Sequence, residues 1–212
     1  LCLAVVCSVF TLLAFASCAT DKEKPLPYTE DTSTEEKTVY YVYMEVEDYG
    51  EIIVKLDATY APATVKNFVK LVRADFYDGL TFHRVIPGFI QGGCPNGDGS
   101  GSLAEKIPGE FVNNGHYNPM EHERGVISMA RSQSYNSASC QFFICNANSL
   151  SVMNLDNNYA AFGHVVKGMD VVDAIAVVDT DPYDAPYDEI VIEYKIISDT
   201  GLVFSVNAGT IV

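Results

Sequence analysis

The segment Phe82-His83-Arg84-Val85-Ile86-Pro87-Gly88-Phe89-Ile90-Gln91-Gly92-Gly93 sets one permanent cation, one amide and two phenylalanines on apolar strands folded together by a Pro-Gly turn. A guanidinium among apolar neighbours is costly unless something nearby uses its charge. That something is either a carboxylate of the same chain or a polar bond in a bound substrate. The segment Gln141-Phe142-Phe143-Ile144-Cys145 repeats the pairing of amide with aromatic at strand spacing and favours a substrate. Side chains alternate along a strand, so Phe142 faces away from Phe143 and belongs to a core.

The surrounding elements are short. Val42, Met44 and Val46 alternate with Tyr43, Glu45 and Glu47, and Ile52, Val54 and Leu56 follow the Asp48-Tyr49-Gly50 turn, which predicts an antiparallel hairpin. Pro62 opens a helical pattern carried by Val65, Phe68, Val69 and Val72. Strands are expected over 126–130, 142–145 and 162–166, and a last one carries Ile190, Ile192, Tyr194 and Ile196. Val171, Val172, Ile175 and Ala176 make a second amphipathic helix. The Gly-rich stretch 96–102 and the Pro/Asn/Gly-containing stretch 105–124 read as loops, as does 149–158, and none matches a phosphate-binding loop. Roughly eight short strands and two helices suggest a mainly β protein, a closed antiparallel barrel.

Both chemical segments resemble the cyclophilin family of peptidyl-prolyl cis-trans isomerases. Two further blocks match in the family's order: Arg124-Gly125-Val126-Ile127-Ser128-Met129-Ala130-Arg131, and Leu155-Asp156-Asn157-Asn158-Tyr159-Ala160-Ala161-Phe162-Gly163-His164-Val165. The resemblance implies a closed eight-stranded antiparallel barrel capped by two α-helices, and rotation of Xaa-Pro bonds with Arg84 and Gln91 as catalytic residues. It implies a peptide seat made of His83, Phe89, Ala130, Arg131, Gln141, Phe143, Leu155 and Tyr159. Phe89, Phe143 and Leu155 would floor the proline ring, Gln91 and Gln141 would hold the peptide backbone, and Ala130 and Arg131 would border the preceding residues. Rotation makes and breaks no covalent bond, so neither nucleophile nor cofactor is needed. A cationic donor screened from water and aimed at the prolyl nitrogen suffices. A proline-peptide binding module or holdase with little turnover is the alternative. A hydrolase has no support, because Ser128 and Ser139 lie in no nucleophile elbow and no Ser/His/Asp set is indicated.

The chain departs from the family at four places. Only Ile90 separates Phe89 from Gln91 where the family has two residues. Either Phe89 takes the position of the family's methionine, or the Pro87-Gly88 turn tightens and restores the usual face. The chain has no tryptophan, so weak cyclosporin binding is expected. Cys94 and Cys140 replace the family's usual Asp and Ser.

Residues 1–17 read as a lipoprotein-type signal peptide, uncharged and apolar up to Phe15-Ala16-Ser17-Cys18, with a basic stretch and initiator Met expected upstream. Cys18 is the expected lipidation site and membrane anchor, the alternatives being plain secretion and, after it, an uncleaved membrane anchor. Residues 18–37 read as a disordered acidic tether, 38–200 as the folded domain and 201–212 as a tail of no assigned role. The protein is therefore expected outside the cytoplasm, acting as a monomer on proline-containing peptides and unfolded secreted proteins. Net charge is −15 with no basic stripe, which excludes nucleic acid as a partner. Of six cysteines, Cys94, Cys140 and Cys145 fall in the domain without metal-ligand spacing, so no metal is expected. Cys140 and Cys145 point to opposite faces; a Cys94–Cys140 bridge is conceivable, but buried free thiols are expected.

Overall fold

The computed structural model describes residues 39–198, with side chains described as far as Tyr194. The expected signal peptide, tether and tail, and Cys18, lie outside the described residues. Strands β1 (Val39–Val46) and β2 (Gly50–Asp57) form the expected hairpin, in register from Val39↔Asp57 to Val46↔Gly50. They are followed by α1 (Pro62–Arg73), β3 (Leu80–Ile86), β4 (Phe89–Gly92), β5 (Val126–Met129) and β6 (Phe142–Cys145). The chain continues through α2 (Leu150–Met153), β7 (Ala161–Lys167), α3 (Met169–Ile175) and β8 (Val191–Ser198). The eight strands close as β1-β2-β7-β5-β6-β4-β3-β8, every neighbouring pair antiparallel. The seam that closes the barrel, between β3 and β8, pairs Leu80 with Ile192 and Thr81 with Val191.

Alternation dictates what fills the barrel. Val42, Met44, Ile52, Val54, Leu56, Ile90, Ile127, Phe142, Ile144, Phe162 and Ile192 point inward and are fully buried. Phe68 of α1 packs at a tilt on Tyr77 at 5.0 Å between ring centroids and meets Phe142 edge-on at 5.4 Å. Each such aromatic contributes about 2–3 kcal/mol through burial alone. Helix α1 rests on β8 and β2, and α3 rests on β2.

Helix α1 begins at Pro62 with no side-chain cap on Ala61. Its free amides are met from outside the helix. The buried carboxylate of Glu110 accepts from Ala63 N–H at 2.9 Å, Thr64 N–H at 2.7 Å and the Thr64 hydroxyl at 2.6 Å. A carboxylate there satisfies orphan donors and complements the helix dipole. The loop that carries Glu110 is thus a structural part of the domain.

Helix α2 is additional to the two expected helices and lies in the stretch read as a loop. It is a single turn capped by Ser149, whose hydroxyl accepts from Val152 N–H at 3.4 Å. Four residues are too few to print a helical period on a sequence.

Candidate active site

A second apolar cluster lies on the outer face of the β4–β6–β5–β7 wall. Phe143, Val126, Cys145 and Ala161 point outward from strands whose alternate residues fill the barrel, and Val152 of α2 joins them. Phe89, Met120, Ala130, Leu155 and Tyr159 pack on top, each only partly buried. The result is an apolar surface seat with Phe143 at its base. Phe89 and Phe143 approach to 5.0 Å between ring centroids, and Tyr159 meets Phe143 edge-on at 5.8 Å.

The β3–β4 hairpin places the polar side chains beside that seat. The two strands join through a two-residue turn, Pro87-Gly88, with Ile86 opposite Phe89 and Gly88 at φ +121. A side chain at Gly88 would be strained by that φ and would meet Val152 at 3.1 Å. The register shifts between Phe82↔Gly92 and Arg84↔Gln91, so His83 is the extra residue of a bulge. Ile90 fills the barrel, while Phe89 and Gln91 share the outer face. Of the two outcomes open for the missing residue, Phe89 therefore takes the position beside Gln91.

Arg84 faces the seat, its Cζ 5.8 Å from the centre of the Phe89 ring. It is neither screened from solvent nor free of a carboxylate. The side chain is 42 % exposed, and Nε and Nη2 donate to Asp184 Oδ2 at 3.2 and 3.1 Å. Asp184 escaped the sequence reading because it lies 100 residues away in an irregular loop.

Gln91 and Gln141 meet through a 2.9 Å bond from Nε2 of Gln91 to Oε1 of Gln141. Nε2 of Gln141 donates in turn to Gly99 O at 2.9 Å and Gly101 O at 2.7 Å. Gln141 is thus engaged with the protein, and of the two amides Gln91 is the one with spare capacity. His83 is buried, 7 % exposed, with its ring against Gly99 and no hydrogen-bond partner on either ring nitrogen. Burial holds its imidazole below the ordinary histidine range.

Arg131 lies at the seat's far rim, its Cζ 4.5 Å from the Tyr159 ring centre, 5.0 Å from Tyr135 and 5.3 Å from Phe111. Its Nε donates to Asn158 O at 2.9 Å. Arginine packs readily on aromatic faces, so Arg131 builds the rim through its plane. Ala130 is pinned by its N–H to Gln141 O at 2.9 Å. Met120 reaches the seat from a stretch with no periodic signal and was not expected there.

A Ser/His/Asp set does exist, contrary to the sequence reading. Asp156 Oδ1 accepts from His122 Nδ1 at 2.9 Å, which leaves Nε2 to accept from the Ser128 hydroxyl at 2.9 Å. Ser128 is fully buried and His122 is 2 % exposed, so no substrate reaches the hydroxyl. The His122 ring stacks against Phe143 at 5.9 Å and supports the base of the seat. Cys94, Cys140 and Cys145 are free and buried.

A closed antiparallel barrel carries on its outer face an aromatic seat flanked by an arginine and a glutamine. The family model for cyclophilin type peptidyl-prolyl cis-trans isomerase matches residues 41–195. Peptidyl-prolyl cis-trans isomerase A of Dickeya dadantii is 44 % identical over 151 residues, covering 68 % of this chain and 77 % of that protein. Peptidyl-prolyl cis-trans isomerase B of Bacillus subtilis is 42 % identical over 135 residues, covering 63 % of this chain and 87 % of that protein. A crystal structure of a Cryptosporidium parvum cyclophilin-type isomerase in the presence of the dipeptide Ala-Pro superposes with a TM-score of 0.67 at 30 % identity, covering 74 % of this chain and 99 % of that one. The chain belongs to the cyclophilin-type peptidyl-prolyl cis-trans isomerase family.

Proposed function

We propose that the chain accelerates rotation about Xaa-Pro bonds by seating the proline on Phe89, Phe143, Leu155 and Met120 with the imide against Arg84. The observation that carries this reading is Arg84 lying 5.8 Å from the ring centre of Phe89, which itself packs on Phe143. The barrier, about 18–20 kcal/mol, comes from amide resonance, lost as the bond twists. The twisted prolyl nitrogen becomes pyramidal and regains a lone pair, so an N–H aimed at it stabilises the twisted state above either planar one. A differential of about 3 kcal/mol corresponds to about a hundredfold in rate. A peptide resting on the aromatic seat displaces water from one side of the half-exposed guanidinium, which strengthens the interaction when it is needed. Gln91 keeps capacity to hold the peptide backbone, so one side of the bond stays fixed while the other turns.

The test is a protease-coupled assay on an Xaa-Pro peptide with wild type and Arg84→Ala. The variant is expected to lose about a hundredfold in kcat/KM while keeping peptide affinity within a few-fold. A wild-type rate equal to the uncatalysed one rejects catalysis and leaves a proline-peptide binding module.

The sequence at Phe15-Ala16-Ser17-Cys18 supports lipidation at Cys18, with the tether holding a monomeric domain outside the cytoplasm to act on secreted chains as they fold. Labelling with radioactive palmitate that disappears in Cys18→Ser, together with release of the protein from membranes, would support this. An unlabelled wild type found free in the medium would point to plain secretion.

A further inference from the structure

Arg84 offers five N–H groups, and two of them, on Nε and Nη2, converge on a single oxygen of Asp184. Among the described residues nothing accepts from Nη1. Asp184 reaches this place with a left-handed backbone, φ +69, which is unfavourable for a residue with a Cβ. The loop around it is built to hold that conformation. Asp181 accepts from the backbone N–H of Tyr183 at 2.8 Å and of Ala185 at 2.9 Å, and Thr180 bridges to Pro186. The carbonyl of Asp184 accepts from Val85 N–H at 2.8 Å, so the loop is tied to β3 at the residue beside Arg84. Both partners of the ion pair are more than 40 % exposed, and pairs so wet add little to stability. Local strain that places one carboxylate on one cation calls for a role beyond stability.

We propose that Asp184 is a positioning residue for Arg84, occupying Nε and Nη2 so that the guanidinium stands beside Phe89 with Nη1 turned toward the substrate. The proposal rests on the reading of Arg84 as the donor to the prolyl nitrogen. An arginine without this clamp samples many rotamers, of which few aim a donor at the imide. The clamp acts through hydrogen-bond geometry, so an amide serves as well as a carboxylate.

The experiment measures kcat and KM on an Xaa-Pro peptide for wild type, Asp184→Asn and Asp184→Ala, each with and without Arg84→Ala. Asp184→Ala is expected to lower kcat about tenfold with KM within about twofold, and to change nothing once Arg84 is gone. Asp184→Asn, which keeps an acceptor for the same donors, is expected to keep kcat within about twofold of wild type. Equal losses with and without Arg84, an unchanged kcat in Asp184→Ala, or a loss confined to KM overturn the proposal. A second readout is independent of turnover. In wild type the Arg84 Nε–H resonance should be protected from solvent exchange, and in Asp184→Ala that protection should vanish. Should wild type show no turnover, the isomerase reading fails, and unchanged exchange at Arg84 in the Ala variant separately overturns the positioning role.

Discussion

The side chains of Gln91 and Gln141 join β4 to β6 outside the barrel, Nε2 of the first donating to Oε1 of the second at 2.9 Å. Through Nε2, Gln141 also carries the carbonyls of Gly99 and Gly101. It acts as a strut that fixes Gln91 and holds the glycine-rich loop against the site. Gln141→Ala removes the acceptor of Gln91 Nε2 and the amide donor to Gly99 and Gly101, and should cost about 1 kcal/mol of stability. The same variant should lower kcat/KM about tenfold, because Gln91 loses its orientation. Urea denaturation and the peptide assay check both. Full activity with normal stability would make Gln141 dispensable as a strut.

Glu110 is the external cap of α1, and its effect should be readable without any activity assay. Glu110→Ala removes the acceptor for two backbone amides and one hydroxyl at a buried helix start. The expected loss is about 2–4 kcal/mol, at or above the upper end for a helix cap because the site is dry. Glu110→Gln keeps one acceptor oxygen and should lose less. A melting temperature unchanged in Glu110→Ala would remove Glu110 from the capping role.

The barrel was legible because period-two alternation is written directly into each strand: Val42, Met44 and Val46 face in, and Phe142 parts from Phe143. The apolar seat was legible through the motifs that hold Phe89, Phe143, Leu155 and Tyr159. Three things were not. Gln141 looks the same in sequence whether its amide meets a peptide or Gly101. Asp184 and Glu110 act from irregular segments, where no periodicity fixes which way a side chain points. His122, Ser128 and Asp156 meet only because β5 and the 155–159 turn are brought together by the closed barrel. Long-range polar contacts of this kind follow from topology, and local pattern does not encode them.

Cys145 lies beneath the seat with its thiol pushed up to about 12 by burial, the Asp156 charge adding to the effect. The thiolate is the reactive form, so Cys145 should be inert in the native state. Titration with an aromatic disulfide reagent at pH 8 should leave Cys145 unmodified until denaturant is added, with mass spectrometry locating each label. Rapid labelling of Cys145 in the folded protein would contradict its placement.

His122 gives the domain an acid sensitivity whose sign follows from its burial. Desolvation lowers its pKa from the ordinary 6.5, outweighing the opposing pull of the Asp156 hydrogen bond and charge. The native imidazole stays neutral at pH values where the unfolded one already binds a proton. Stability is therefore full above about 6.5 and falls as pH drops from there toward the native value, by at most about 1.4 kcal/mol per pH unit for one group. His83, lowered for the same reason, adds to the slope in the same window. Urea midpoints measured between pH 8 and 5 should decline more steeply for wild type than for His122→Gln, which has no proton to gain. Because His122 stacks on Phe143, its protonation should also loosen the base of the seat, and peptide affinity should weaken over the same interval. An imidazole resonance of His122 titrating at or above 6.5 in the folded protein would reverse the sign and sink this prediction.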